Sequence, residues 1–439
     1  MRLLYAMPIV LLPNALHLPP NLGMTASIVL LVGAVVFAQR DPPHLAHTGY
    51  LTPPLLGLFL ALLLGYITAQ WDDASNAGED LMRAKYAITY PLLYIAYRRC
   101  GLDLKATKQL IVLVLVVAAF AGLEAVFQGL QFNLGEFADQ QRATGPFGEI
   151  SMANRAGVFF AMFLPMFVAV ALQPNHRKLA RWLAVAGGAI LAAAILFTFS
   201  RQAYVIALLG ILLLLFHRGV PVAALAVLLM VSVGAGLLPD SVIQRMEETR
   251  QVGAGGMVSY DASTASRLEI WKGALAMLAD HPGGVGLGRF GDYIGDYTNH
   301  PGMDAHNGFV LMLAECGPLG LAMMLWLLWR LWGLALRLRR STGSNLPEAR
   351  AFAVGFTVAV ISMALGNMYG SPYVEGLVMY NFWILCGLLE RYSILEAHAA
   401  ALLTAHSGPQ QATGVGTHFP LAARALPGLG AATRSLPPR

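Results

Sequence analysis

The sequence predicts an all-α, multi-pass transmembrane protein of about twelve spanning helices, with one large hydrophilic loop containing short helices. Three observations predict it. Of 439 residues, 57% are hydrophobic and 12% charged, where soluble chains carry about 25% charge. Apolar runs long enough to cross a bilayer recur through most of the chain. One long interval, 238–307, breaks that pattern: it holds Arg245, Arg250, Arg267, Lys272 and Arg289 and closes on Asp304-Ala305-His306-Asn307.

A formal charge of +5 is what basic loops on one membrane face produce, so no nucleic-acid partner is expected. Cys100, Cys316 and Cys386 stand too far apart to suggest a disulfide framework or a zinc site.

A spanning helix needs about 20 mostly apolar residues. The runs that qualify are 3–18, 22–38, 54–71, 81–97, 109–131, 155–173, 179–199, 202–217, 220–238, 306–336, 350–368 and 375–396. The first follows Met-Arg and could pass for a signal peptide. No small-residue cleavage site follows, and Pro19-Pro20 leads into the next run, so an uncleaved span is expected. The runs show no internal repeat, which argues against a transporter built from inverted halves.

Loop charge orients the helices. Arg98, Arg99, Lys105 and Lys108 lie in one loop, Arg177, Lys178 and Arg181 in another, Arg218 in a third, and Arg337, Arg339, Arg340 and Arg350 in a fourth. The alternate loops differ: Asp72, Asp73, Glu79 and Asp80 occupy one, and 369–374 has no basic residue. Lys and Arg in short loops mark the cytoplasmic side. The expected division is therefore helices one to nine over 1–237, a periplasmic loop over 238–305, helices ten to twelve over 306–396 and a disordered cytoplasmic tail over 397–439. The tail's Ala, Pro and Gly content suggests no function.

The outer face gathers the residues suited to chemistry. Arg83 and Lys85 lie near one helix end. Arg142 precedes the turn Gly145-Pro146-Phe147-Gly148, and Asn154-Arg155 opens the next helix. Phe199-Ser200-Arg201 forms a very tight connection that leaves Arg201 at the membrane surface. Each cation alone also fits an anchor that snorkels to lipid headgroups. In the large loop, Ser266 and Glu269 match a capping box. Leu268, Trp271, Leu275 and Leu278 then follow as one apolar stripe on a helix of about 15 residues. Asp280-His281-Pro282 stops it. Arg267 would then sit in the first turn, where unpaired N–H groups favour an anion and a guanidinium can clamp phosphate. The alternative is an Arg exposed on a peripheral helix lying along the membrane. Gly286-x-Gly288-x-x-Gly291 fits a dinucleotide fingerprint in form only: no strand precedes it, and a turn back to the membrane is the better reading. His306 starts the tenth helix, where the helix terminus and nearby arginines would keep its ring neutral. A metal set drawn from His281, His300, His306, Asp292, Asp296 and Asp304 has no familiar ligand spacing, so no metal and no other cofactor is expected.

These features resemble the O-antigen ligase family, with its related O-antigen polymerases and protein O-oligosaccharyltransferases. The resemblance covers about residues 1–396 and rests on the helix layout and four local matches. They are Gly145-Pro146-Phe147-Gly148 with Asn154-Arg155; Ser200-Arg201; Ser266-Arg267 with Trp271, Asp280-His281-Pro282 and the glycine turn; and His306-Asn307 with Glu315-Cys316-Gly317-Pro318-Leu319-Gly320. The resemblance implies a metal-independent GT-C-type glycosyltransferase of the bacterial inner membrane, acting on its periplasmic face. The donor would be O-antigen on undecaprenyl pyrophosphate and the acceptor a hydroxyl of lipid A–core. By matching position, Arg201 and Arg267 would bind the pyrophosphate and His306 would be the catalytic histidine. Arg142, Asn154, Arg155, Arg83 and Lys85 would support the pyrophosphate. A polymerase joining lipid-linked repeat units would use the same parts, as would a protein-glycosylating relative. From another class, a lipid-linked sugar flippase or anion transporter would also place arginines among helices, but deep within the spans.

Overall fold

The computed structural model describes residues 2–11, 22, 25, 28–30, 33, 48–71, 77–132, 140–174, 176–217, 219, 250–252, 258–260, 262–341, 347–371 and 376–406. Its helices are α1 (Arg2–Leu11), α2 (Thr52–Ala69), α3 (Ala77–Arg98), α4 (Leu104–Gly129), α5 (Ala153–Ala171), α6 (Lys178–Phe197) and α7 (Arg201–Phe216). After them come α8 (Ala262–Asp280), the single turn α9 (Phe290–Tyr293), α10 (Gly308–Ser341), α11 (Pro347–Gly366) and α12 (Gly376–His406). The chain divides into a unit Met1–Ser393, which holds the helical bundle, and a unit Ile394–Arg439, whose described part is the end of α12.

Among the described residues, six helices are long and apolar enough to cross a membrane: α2, α4, α5 with the turn before it, α6, α10 and α11. α1 and α7 are apolar but shorter, and α3 carries Glu79, Asp80, Arg83 and Lys85 in its first half. The expected span 220–238 lies outside the described residues, as do most of 22–38, the loop segment 238–249 and the tail beyond 406.

α5 is the axis of the bundle. It is apolar on all sides beyond Asn154 and Arg155, and buries residues on every face, as an interior helix must. It packs against α6, α7 and α11. The 3-10 turn at 145–147 sets the Phe147 ring edge-on to Phe159 at 4.8 Å, fixing the start of α5 against its own connection. α2 packs along α10 and α4 along α6.

Two features of the large loop differ from the sequence expectation. A two-strand antiparallel hairpin pairs β1 (Arg250–Val252) with β2 (Val258–Tyr260), where only helices were expected. Strands of three residues are too short for alternation to register in a sequence. The second concerns α8, which begins at Ala262 and not after Ser266. Ser266 is therefore inside the helix and not at its N-cap, and Arg267 lies beyond the first turn, away from the N–H groups that favour anions. The apolar face is also displaced. Ile270, Ala274 and Met277 face the core, whereas Leu268 is 41% and Leu275 60% exposed. The Ser/Glu pair and the leucines were the louder signals, but small Gly273 and Ala274 permit the close packing that decides the face.

α10 breaks at Gly317, whose φ of 64° no other residue adopts readily, just before Pro318. A Cβ there would lie 2.7 Å from the Gly283 carbonyl oxygen. The break and the glycine turn of the loop thus fit into one another.

Candidate active site

Residue His306 sits two positions ahead of α10 in the left-handed region, at φ 48°. A non-glycine residue held there costs about 1–3 kcal/mol and persists only where its surroundings dictate it. The surroundings do. Asn307 caps α10, its Oδ1 accepting from the N–H of Phe309 at 2.9 Å and of Val310 at 3.2 Å. The Gly308 N–H donates to the carbonyls of Asn367 and Gly370, both at 2.8 Å. On the other side, Trp271 Nε1 of α8 donates to the Ala305 carbonyl at 2.8 Å, and Ala305 is buried. The segment 304–308 is therefore clamped between α8 and the end of α11.

Charged groups converge on this histidine. Asp304 Oδ2 lies 3.7 Å from His306 Nδ1 and 3.8 Å from Arg155 Nη2, and accepts a hydrogen bond from Ser371 Oγ at 2.9 Å. Burial pushes the imidazole below its ordinary value; Asp304 opposes this, and Arg267 and Arg155 add to it. The expected direction is thus found, with desolvation as its largest cause. The helix terminus invoked from the sequence belongs to Asn307 and Gly308, since α10 begins two residues after His306.

The remaining outer-face residues sort into two groups. Arg142 donates from Nη2 to Asn154 Oδ1 at 2.6 Å and from Nε to the Thr198 carbonyl at 3.0 Å, tying the start of α5 to the end of α6. Residues 198–200 make the whole connection to α7, with Phe199 at φ 47° and Ser200 Oγ accepting from the Ala203 N–H at 3.4 Å. Arg201 opens α7, half-buried, and its neighbour Gln202 donates from Nε2 to the Gly366 carbonyl at 2.7 Å. That bond brings the start of α7 to the same α11 terminus that receives Gly308. Arg142, Asn154, Arg155, Arg201 and Arg267 therefore share one end of the bundle with His306.

Arg83 and Lys85 make contacts of another kind. Arg83 Nη1 donates to the Gly288 carbonyl at 2.6 Å and lies 4.0 Å from Asp80. Lys85 Nζ sits 5.0 Å from the centre of the Tyr86 ring. Arg83 braces the glycine turn, with buried Asp80 also receiving Arg289 at 2.7 Å and Gln70 at 3.0 Å. Glu315, buried in α10, receives the Phe290 N–H and feels the charges of both Arg83 and Asp304. The glycine turn brings the loop back against α2 and α10, through the Leu287 N–H to Gly65 and the Val285 N–H to Ala314. Sequence reasoning did not identify Ser371 or the Trp271–Ala305 bond, and weighed Asp304 only as a metal ligand. A lone serine after a helix carries no signal, and a carboxylate two residues from a histidine was the one clue available.

Apolar helices surrounding α5, with a cluster of arginines and a histidine at one bundle end, fit a multi-pass membrane protein. Residues 186–325 match the family model described as O-Antigen ligase. That match covers about a third of the chain; through it the chain is similar to the O-antigen ligase family, which supports a membrane glycosyltransferase activity of the O-antigen ligase or polymerase type. Among curated proteins none matches the chain. The matched segment contains Arg201, Arg267 and His306, whereas Arg83, Lys85, Arg142, Asn154 and Arg155 precede it.

Proposed function

We propose that this protein is an O-antigen ligase of GT-C type, passing O-antigen polysaccharide from undecaprenyl pyrophosphate to a hydroxyl of lipid A–core at the periplasmic face of the inner membrane. The observation that carries the reading is the gathering of Arg155 and Arg267 around His306 from α5, α8 and the start of α10. A sugar on pyrophosphate already has a good leaving group, so its departure needs charge stabilisation more than a proton donor. Arg201 and Arg267 supply that as guanidinium groups without a metal, and Arg142, Asn154 and Arg155 support them. His306 takes the proton of the acceptor hydroxyl as its oxygen bonds to the anomeric carbon and the bond to phosphate breaks. Attack opposite the leaving group inverts that carbon. In this scheme Arg83 braces the glycine turn and Lys85 lies against Tyr86, and both bear on the pyrophosphate only indirectly.

A second feature supports a lipid-linked donor. An apolar groove of about 450 Å³ lies between α10 and α11, lined by Phe309, Leu328, Trp332, Val360 and Leu365, and it ends at Asn307 beside His306. A polyprenyl chain lying there would bring its diphosphate to the arginines from the membrane side.

The test is genetic and biochemical together. Deleting the gene should remove capped lipopolysaccharide and leave long polymer on the lipid carrier; capping by single repeats would instead identify a polymerase. His306→Ala, expressed in the deletion strain, should insert normally and lose transfer by at least about 100-fold, the usual share of a general base. Full O-antigen attachment by that variant would end the assignment of His306.

A further inference from the structure

We propose that Asp304 is a positioning residue for His306, holding the imidazole through Nδ1 so that Nε2 is the nitrogen presented to the acceptor hydroxyl. The inference rests on the general-base role given to His306 above, and on geometry. Asp304 Oδ2 is 3.7 Å from His306 Nδ1, a separation that closes to a hydrogen bond with a small rotation of either side chain. The carboxylate is itself anchored. Ser371 Oγ, in the turn after α11, donates to the same Oδ2 at 2.9 Å, and Arg155 of α5 reaches it at 3.8 Å. The backbone between the two groups cannot drift, because Trp271 holds the carbonyl of Ala305 and the strained φ of His306 fixes the direction in which its ring leaves the chain.

A carboxylate at Nδ1 selects the tautomer with its proton on that nitrogen and leaves the lone pair on Nε2. When Nε2 takes the acceptor's proton, the ring becomes imidazolium and Asp304 stabilises the new charge without being protonated, as in other carboxylate–histidine pairs. The same carboxylate also faces Arg155, so the position of Arg155 bears on how firmly Asp304 holds the ring. The charged groups acting on His306 are Asp304 from its own segment, Arg267 from α8 and Arg155 from α5, and Glu315 of α10 acts on Asp304. Removing the negative charge of Asp304 therefore leaves two cations facing the ring.

The full-length protein in detergent supplies two independent readouts. The first is kcat and donor KM for glycan transfer from a lipid-linked donor. The second needs no substrate: the pH dependence of His306 modification by diethylpyrocarbonate, read by peptide mass spectrometry, since only neutral imidazole reacts. Asp304→Asn should lower kcat by about 10- to 100-fold with donor KM changed little, part of the effect of losing a general base. It should also move the modification midpoint to lower pH. Ser371→Ala keeps every charge and loosens only the anchor, and should give a smaller fall in kcat with an unaltered elution profile in size exclusion. A loss of kcat in Asp304→Asn with an unmoved midpoint overturns the proposal, as does wild-type behaviour in both readouts. If the wild-type protein transfers no glycan while the midpoint still moves, the positioning role stands and the ligase reading falls.

Discussion

In the proposed reaction His306 acts as a base only when neutral, so the environment that lowers its affinity for protons bears directly on the pH range of activity. Burial and the cations Arg267 and Arg155 depress it, and Asp304 alone opposes them. An unprotonated base is competent above its pKa and fails as pH falls through it. The acid limb of kcat/KM, which reports the free enzyme, should therefore lie below the value of about 6.5 expected of an unperturbed imidazole. An acid limb above that value would mean that a different group limits the reaction. Much at this scale was legible. Arg201 and His306 stand out as polar groups at the edges of apolar runs, where charge is costly without purpose, and Arg267 as a guanidinium in the long polar loop. Arg83 and Lys85 stand out in the same way, yet Arg83 braces Gly288 and Lys85 lies against Tyr86. Pattern alone does not distinguish a cation placed near the histidine from one aimed at a carbonyl.

The decisive element is the glycine turn at 284–288, through which the loop re-enters the bundle. Gly284 has φ 92°, and a Cβ there would lie 2.5 Å from the Glu315 carbonyl oxygen. Gly286 has φ 103° and would bring a Cβ within 2.7 Å of the Ala69 backbone. Main-chain bonds made at this approach, Val285 N–H to the Ala314 carbonyl at 2.9 Å and Leu287 N–H to the Gly65 carbonyl at 2.9 Å, tie the loop to α10 and α2. Gly284→Ala should therefore destabilise the fold by about 1–3 kcal/mol or more, since it adds a steric conflict to an unfavourable φ. The measurement is the thermal midpoint in detergent; an alanine variant with an unchanged midpoint would show that the turn can relax. The existence and end of α8 were also readable, because Asp280-His281-Pro282 is a strong stop. Its start and its buried face were not. A capping box describes a possible terminus, and packing against Phe290 and Ile294 selected the face that carries Ile270, Ala274 and Met277.

For the whole molecule, the end of α3 is fixed to α12 by a charged pair removed from solvent. Arg98 Nε donates to Glu390 Oε1 at 2.8 Å, and the two residues are only 3% and 6% exposed. Tyr94 and the Tyr50 N–H complete the carboxylate's partners. Arg98→Met leaves a buried carboxylate without its cation and should cost about 3–5 kcal/mol, whereas Arg98→Met with Glu390→Gln should recover much of that loss. Denaturation midpoints of the single and double variants check this; equal midpoints would show that the pair is not coupled. Nothing in the loop charges that oriented the helices points to this contact. They report a statistical preference of flanking segments, and Glu390 is one of three acids in the run 375–396, with nothing in the sequence to set it apart.

By itself the sequence determined that this is a membrane-embedded helical protein, with a polar excursion before α10 and arginines with a histidine at the helix boundaries. Hydrophobic run length and charge placement are local properties, and the bilayer requires both to be satisfied within each helix. The tertiary structure decided which of those boundary residues meet. Arg155 and Asp304 are separated by nearly 150 positions in the chain, yet their side chains approach to 3.8 Å. That proximity depends on how α5 seats against α7 and α11, a matter of close packing among small and aromatic side chains that no single segment encodes.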